Sequence, residues 1–270
     1  MTAPQDRGQS RVPLRRALRI QLRSIWALVV REMMMRYGRD HLGFVWVVLE
    51  PMILTAGVLI IWSLIRDRYE HGITIVTLVV TGYLPLTLWR HLTSNLILPF
   101  RRSVAMLYHR PISFFDIIFA KGILEFAGCT AAAITVYTFL LIAGYIEPIA
   151  DLGLIIAGWL LMALFAFAAG TVIALVTELN EITEKFIQPM QYLMLPVSGA
   201  FFMLDWFPAS VQRLLLWNPH VHCFEMVRAG FMGDSVITHY SPWYTIAWSF
   251  ALLCLGLGGL HRFRDRMQPA

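Results

Sequence analysis

The sequence predicts an all-α, polytopic integral membrane protein, and three observations carry that expectation: its composition, its long uncharged runs and the sidedness of its positive charge. The 270 residues are 58% hydrophobic and only 14% charged, with a mean hydropathy of +0.63, far more apolar than an average soluble domain. Crossing the hydrocarbon core as a helix takes about 20 mostly apolar residues. Six runs meet that need: Phe44–Ile65, Ile73–Trp89, Phe126–Ile146, Leu152–Thr177, Phe186–Leu204 and Tyr240–Leu260, with Glu50 as the only charge among them. The runs are continuous rather than alternating, which points to helices and away from a β-barrel. Six spans place both termini on one side. Eighteen of the 22 Lys and Arg residues fall on that side, nine of them before Phe44, so the positive-inside rule puts both termini in the cytoplasm. The formal net charge of +5 then reflects topology and calls for no nucleic-acid partner.

Taken in order, residues 1–43 form a cytoplasmic N-terminal segment, 44–260 the transmembrane domain and 261–270 a cytoplasmic tail. No short apolar stretch with an A-x-A-like site follows the basic start, so no cleavable signal peptide is expected. Before the first span, Leu18, Leu22, Ile25, Trp26, Val29 and Met33 share one side of a helix, opposite Arg16, Arg23, Ser24 and Arg31. Such an amphipathic helix suits either the anionic membrane surface or a partner subunit. Glu50, one or two turns inside the first span, calls for an ion pair with a cytoplasmic-side arginine such as Arg36 or Arg39, because an unpaired carboxylate is costly at that depth.

The second-to-third connection contains a short helix between Pro99, suited to a first turn, and Pro111, which stops it. Arg101, Arg102, Met106, Leu107, Tyr108, His109 and Arg110 lie between them, and a free loop would not need those apolar side chains, so the segment reads as a docking surface. Ser113 with Asp116 resembles a capping box that starts the next helix. In the fourth run Ala163, Ala166, Gly170 and Ala174 make a small-residue stripe for close packing. The fifth run holds Pro189 and Pro196, the Ser198-Gly199 pair, and two amides, Gln188 and Gln191. A bent helix with amides at membrane depth is the expected lining of a polar pathway, through Gln188, Gln191, Tyr192, Ser198 and Phe202. Pro208–Trp217 and Pro219–Phe231 read as two short outer helices, and Trp206, Phe207, Trp217 and Phe224 as an outer gate or lid. Several of the nine tryptophans fall near span ends, as an aromatic belt requires.

The chain has two lysines, Lys121 after Ala120 and Lys185 after Glu184, so the G-x-x-x-x-G-K-[ST] phosphate loop is absent and any ATP hydrolysis belongs to a separate subunit. No G-x-S-x-G or H-E-x-x-H motif occurs, and no catalytic residue is assigned. His220, His222, Cys223 and Glu225 invite a metal, but only His222 and Glu225 have the spacing to share a face, and Glu225 also pairs at i,i+3 with Arg228; no metal site is expected. Cys129, Cys223 and Cys254 suggest no disulfide framework.

The stretch Arg36-Tyr37-Gly38-Arg39-Asp40-His41-Leu42-Gly43-Phe44-Val45-Trp46, followed by Leu49-Glu50-Pro51, resembles the start of the first span in ABC-2 type permeases of capsular polysaccharide and O-antigen export. The Asn218-Pro219-His220 turn with Glu225 and Arg228 resembles that family's outer loop. The resemblance implies a homodimer bound to two copies of an ABC ATPase that carries the ATP and Mg, with polymer passing between the two bundles across a bacterial inner membrane. It also implies docking of the second-to-third connection on the ATPase and short gating helices before the last span. The capsule type, which hands polymer to a periplasm-spanning export partner, is the nearest match, since no carbohydrate-binding domain is added. O-antigen, teichoic acid or smaller-substrate permeases share the topology, and a membrane enzyme acting on lipid-linked sugars would have only Glu50, Glu125 and the His220 cluster to work with.

Overall fold

The computed structural model describes residues 14–37, 43–65, 69–70, 72–101 and 113–267. Helix α1 spans Leu14–Tyr37 and α2 spans Gly43–Ile65. A two-residue hairpin follows, β1 (Tyr69–Glu70) with β2 (Ile73–Thr74), in which Tyr69 pairs with Thr74 and Glu70 with Ile73. Its turn needs Gly72, whose φ is +82°. Then come α3 (Ile75–Ser94), α4 (Phe114–Ile142), α5 (Leu152–Leu179), α6 (Glu184–Met194), α7 (Ala209–Leu215), α8 (Pro219–Met232) and α9 (Pro242–Met267).

Five helices among the described residues are long and apolar enough to cross a membrane: Val48–Ile65 within α2, then Ile75–Ser94, Phe114–Ile142, Leu152–Leu179 and Pro242–Phe263. The protein is all-α and polytopic, as expected. The fifth run, Phe186–Leu204, is not one helix. α6 stops at Met194, Leu195–Val197 tightens into a 3-10 turn containing Pro196, and Gly199 then takes a φ of +93°. Proline supplies no N–H to continue the ladder. The Ser198 hydroxyl donates to the Leu195 carbonyl at 2.8 Å, supplying it with a side-chain donor.

Capping chemistry sets several boundaries. Thr74 caps α3, Asp151 caps α5, and Ser113 with Asp116 forms the predicted capping box at the start of α4. α3 is the central helix, with Leu78, Val79, Leu86, Leu88 and Leu92 almost fully buried. The small-residue stripe of α5 lets its neighbours approach. Ala166 and Ala174 are fully buried, and a Cβ on Gly170 would lie 2.6 Å from a Leu96 methyl. α9 closes on the same helix through Gly256 against Thr171 and Gly259 against Leu175.

α1 divides its apolar residues between two surroundings. Leu28 and Val29 are buried against Ile117, Ile118, Ala120 and Leu124 of α4, whereas Leu18, Leu22 and Trp26 stay exposed. Gln21 donates to Asp116 at 3.3 Å and Lys121 Nζ lies 2.5 Å from Glu32. The helix is therefore strapped to α4 between Gln21 and Glu32.

Candidate functional site

α8 runs antiparallel to α5. A Cβ on Gly230 would lie 2.7 Å from Ile155, one on Gly158 would lie 2.9 Å from Val227, and the His220 ring meets Phe165 with centroids 5.1 Å apart. Phe165 is fourteen positions beyond the Asp151 cap, so α8 begins about 20 Å down α5 at 1.5 Å per residue. It therefore starts inside the helix bundle, beside the middle of α5. Asn218 caps its first turn, and Pro219 occupies the position where a missing N–H costs nothing.

Two buried charges on α8 hold the chain segments on either side of it. Arg228 is fully buried and donates to the carbonyl of Ala200 at 2.8 Å and to that of Phe202. Glu225 is 1% exposed, accepts from the backbone N–H of Leu204 at 3.2 Å and of His239 at 3.1 Å, and lies 3.7 Å from Arg228. One turn of helix thus fastens both the descent after α6 and the return towards α9. The Ala200 carbonyl also presses on α3 at Gly82, where a Cβ would collide with it.

The four residues that invite a metal do not converge. His222 takes Ser241 N–H on Nδ1 at 3.0 Å and sets Nε2 2.9 Å from the Leu216 carbonyl. Cys223 contacts the Pro219 carbonyl, and His220 sits among the rings of Trp89, Phe165 and Phe224. Among the described residues no group of three such side chains could hold a metal ion.

α6 is amphipathic. Gln188, Gln191, Tyr192 and Lys185 lie on one side, and Phe186, Met190 and Leu193 are exposed on the other. Gln191 donates to Thr93 Oγ1 at 2.9 Å and accepts from Ser94 Oγ at 3.1 Å. Of the three residues expected to share a pathway-lining face, Gln191 is buried and joins α6 to α3, while Gln188 and Tyr192 remain exposed. Ser198 is likewise buried, and Phe202 is half-buried with its ring edge-on to Phe207 at 5.0 Å.

Of the expected gate residues, Trp217 is 77% exposed, while Trp206 and Phe207 are half-buried. Phe224 is a core residue, fully buried with Leu88, Met162 and Met203, because α8 turns it towards α3 and α5. Arg101 pairs with Glu181 and lies 3.6 Å from Glu178, whose carboxylate accepts the Phe100 N–H at 2.7 Å. The other expected docking residues, Arg102, Met106, Leu107, Tyr108, His109 and Arg110, lie outside the described residues, as do Arg39 and the side chain of Arg36. Glu50 is half-buried in α2.

Sequence reasoning missed two arrangements. His91 Nδ1 and Glu125 Oε2 join α3 to α4 at 2.9 Å. Arg90 lies inside α3 rather than in a loop, donating to Tyr192 Oη at 3.3 Å with its guanidinium carbon 5.1 Å from the ring centroid. The charge of Arg90, next to a run ending at Trp89, looked like a span boundary. Only the continuation of α3 to Ser94 reveals its place.

Five long apolar helices packed with the buried helix α8 define a polytopic α-helical membrane protein. Residues 23–232 match the ABC-2 type transporter family, and the chain belongs to it. It is 38% identical over 253 residues to the capsule polysaccharide export inner-membrane protein CtrC of Neisseria meningitidis serogroup A, covering 94% of this chain and 96% of that protein. It is 34% identical over 255 residues to the capsule polysaccharide export inner-membrane protein BexB of Haemophilus influenzae, with 94% and 96% covered. The polysialic acid transport protein KpsM of Escherichia coli is 24% identical over 249 residues, with 89% and 95% covered.

Proposed function

We propose that this chain is the permease subunit of an ABC transporter that exports capsular polysaccharide across the bacterial inner membrane. The observation that carries the reading is its similarity, along nearly the whole chain, to relatives named for that export. The permease works as a homodimer with two copies of an ABC ATPase, which binds the ATP and Mg. The absence of a Gly-Lys phosphate loop from this sequence supports that division of labour. Residues 44–260 form the transmembrane domain, with both termini cytoplasmic by the positive-inside rule. The fifth passage is made by α6, its 3-10 turns and the buried helix α8 together, rather than by one long helix.

Polymer moves along the polar side of α6, past Gln188 and Tyr192, and leaves beside the outer segment carrying Trp206, Phe207 and Trp217. A helix with amides on one side and Phe186, Met190 and Leu193 on the other separates a wet surface from an apolar one. The segment from Pro99 to Ser113 docks on the ATPase, and a periplasm-spanning partner receives the polymer. The test is genetic and biochemical. Deleting the gene should leave polymer inside the cell, and restoring it should return polymer to the surface and recover an ATPase in the purified complex. Normal surface polymer in the deletion strain would refute the reading.

A further inference from the structure

α3 ends at Ser94, and Leu96 to Phe100 stay buried although they belong to no helix. Buried backbone N–H groups need acceptors. Pro99 has no N–H, and the other three donors of residues 98–101 all go to two neighbouring side chains of α5. Thr177 Oγ1 accepts from Leu98 at 3.2 Å, and one oxygen of the buried Glu178 carboxylate accepts from Phe100 at 2.7 Å and from Arg101 at 3.3 Å. Leu98 takes a φ of +46°, a left-handed conformation that leucine avoids and that no other non-glycine residue adopts among the described residues. The result is a concave row of N–H groups of the kind that holds an anion, filled by the protein's own carboxylate. The second Glu178 oxygen lies 3.6 Å from Nε of Arg101, which also pairs with Glu181. The Phe100 ring meets Phe114 edge-on at 4.6 Å, so the stretch from Phe100 to Phe114 closes on itself at its base.

Two routes lead from this base into the bundle. One runs back to α3 through the turn at residues 95–98, and a turn can absorb a displacement as a hinge does. The other is α5. α9 packs on α5 at Thr171 and Leu175, and α8 lies along it from Phe165 to Ile155. Ile155 and Glu178 stand about 35 Å apart on one unbroken helix at 1.5 Å per residue. We propose that Thr177 and Glu178 are the coupling anchor of the permease, fixing the base of the ATPase-docking segment to α5 so that its displacement reaches α8. This inference rests on the docking reading and adds the residues that transmit it. Both are positioning residues, acting through the segment they hold. Two of the three bonds go to a carboxylate, which makes them the stronger, charge-assisted kind.

The test uses the permease–ATPase complex in nanodiscs, in a cysteine-free background carrying Phe207→Cys, a half-buried position in the same apolar cluster as Val221 of α8. A water-soluble thiol reagent should react there at different rates in the nucleotide-free and the vanadate-trapped complex. Glu178→Ala should remove that difference while the ATPase still co-purifies and hydrolyses ATP, and in cells it should lower surface polymer about fivefold or more. Thr177→Val should act in the same direction more weakly, and Thr177→Ser, which keeps the acceptor, should restore the parent's behaviour. Glu178→Gln keeps one acceptor and should fall between the parent and Glu178→Ala; it replaces the alanine variant if that one fails to assemble. A merely structural role would lower assembly, hydrolysis and export together and leave the labelling response of the surviving complex intact. That outcome, or a Glu178→Ala complex as responsive as the parent, overturns the proposal and assigns transmission to α3. So does a parent complex in which position 207 reacts equally in both states. If Met106→Ala with Tyr108→Ala leaves co-purification and export normal, the docking reading fails. If that pair releases the ATPase while Glu178→Ala stays fully coupled, docking stands and the anchor role of Glu178 falls.

Discussion

Replacing Arg228 with Met keeps the bulk of the stem and removes every polar contact of the guanidinium. The carbonyls of Ala200 and Phe202 lose their side-chain donor, and Glu225, 1% exposed, loses the positive charge 3.7 Å away. Stranding a buried carboxylate costs about 3–5 kcal/mol, and each carbonyl left unsatisfied about 1–3 kcal/mol. These terms overlap because all the groups share one site, so the expected loss is about 4–6 kcal/mol rather than their full sum. Glu225→Gln removes the charge but leaves one acceptor for the Leu204 and His239 amides. The double variant Arg228→Met/Glu225→Gln should therefore be more stable than the two single losses imply, by about 2 kcal/mol. Unfolding of the four purified proteins in one detergent, by a denaturant titration read through tryptophan fluorescence, measures the cycle. Strict additivity, or an Arg228→Met protein within about 0.5 kcal/mol of the parent, would show that the clamp contributes nothing to the packing of the outer segment.

The remaining expectations are simpler. Gly82→Ala should cost about 1–3 kcal/mol in the same titration, since its methyl would meet the Ala200 carbonyl, whereas Gly57→Ala, with nothing within 4 Å, should be neutral or slightly stabilising. Lys121→Met breaks the contact with Glu32 and should speed tryptic cleavage at Arg15, Arg19 and Arg23 several-fold; an unchanged rate would mean that Leu28 and Val29 hold α1 unaided. In a cysteine-free complex, Gln188→Cys and Tyr192→Cys should react with a water-soluble thiol reagent while Gln191→Cys stays protected. Equal labelling at all three would contradict the orientation of α6 described here.

Helix α6 shows where reading the residues succeeded and where it stopped. Two prolines and a Ser-Gly pair announced a bend in the fifth run, but the helix goes further and breaks, at Leu195–Val197 and Gly199. Helical spacing placed Gln188, Gln191 and Tyr192 near one another. It did not say that Thr93 and Ser94 would claim the middle one, because those partners come from a helix some 97 residues away. Arg228 and Glu225 were legible as an i,i+3 pair. Their more consequential partners, the backbone of residues 200–204 and His239, could not be read from side-chain types, since a carbonyl or an amide belongs to every residue alike.

Composition and run length by themselves determined that this chain lives in lipid as helices, and the absence of any Gly-Lys pair excluded the usual phosphate-binding loop. Those properties depend on what the residues are and how many stand together, so they survive without a fold. The sidedness of Lys and Arg set the expected orientation for the same reason. Tertiary structure alone decided that α8 starts deep beside Phe165, that Phe224 belongs to the core rather than to a gate, and that Arg90 meets Tyr192. In a membrane protein the lipid-facing and protein-facing sides of a helix are both apolar, so hydropathy does not mark which side is buried. Only the packed neighbours do.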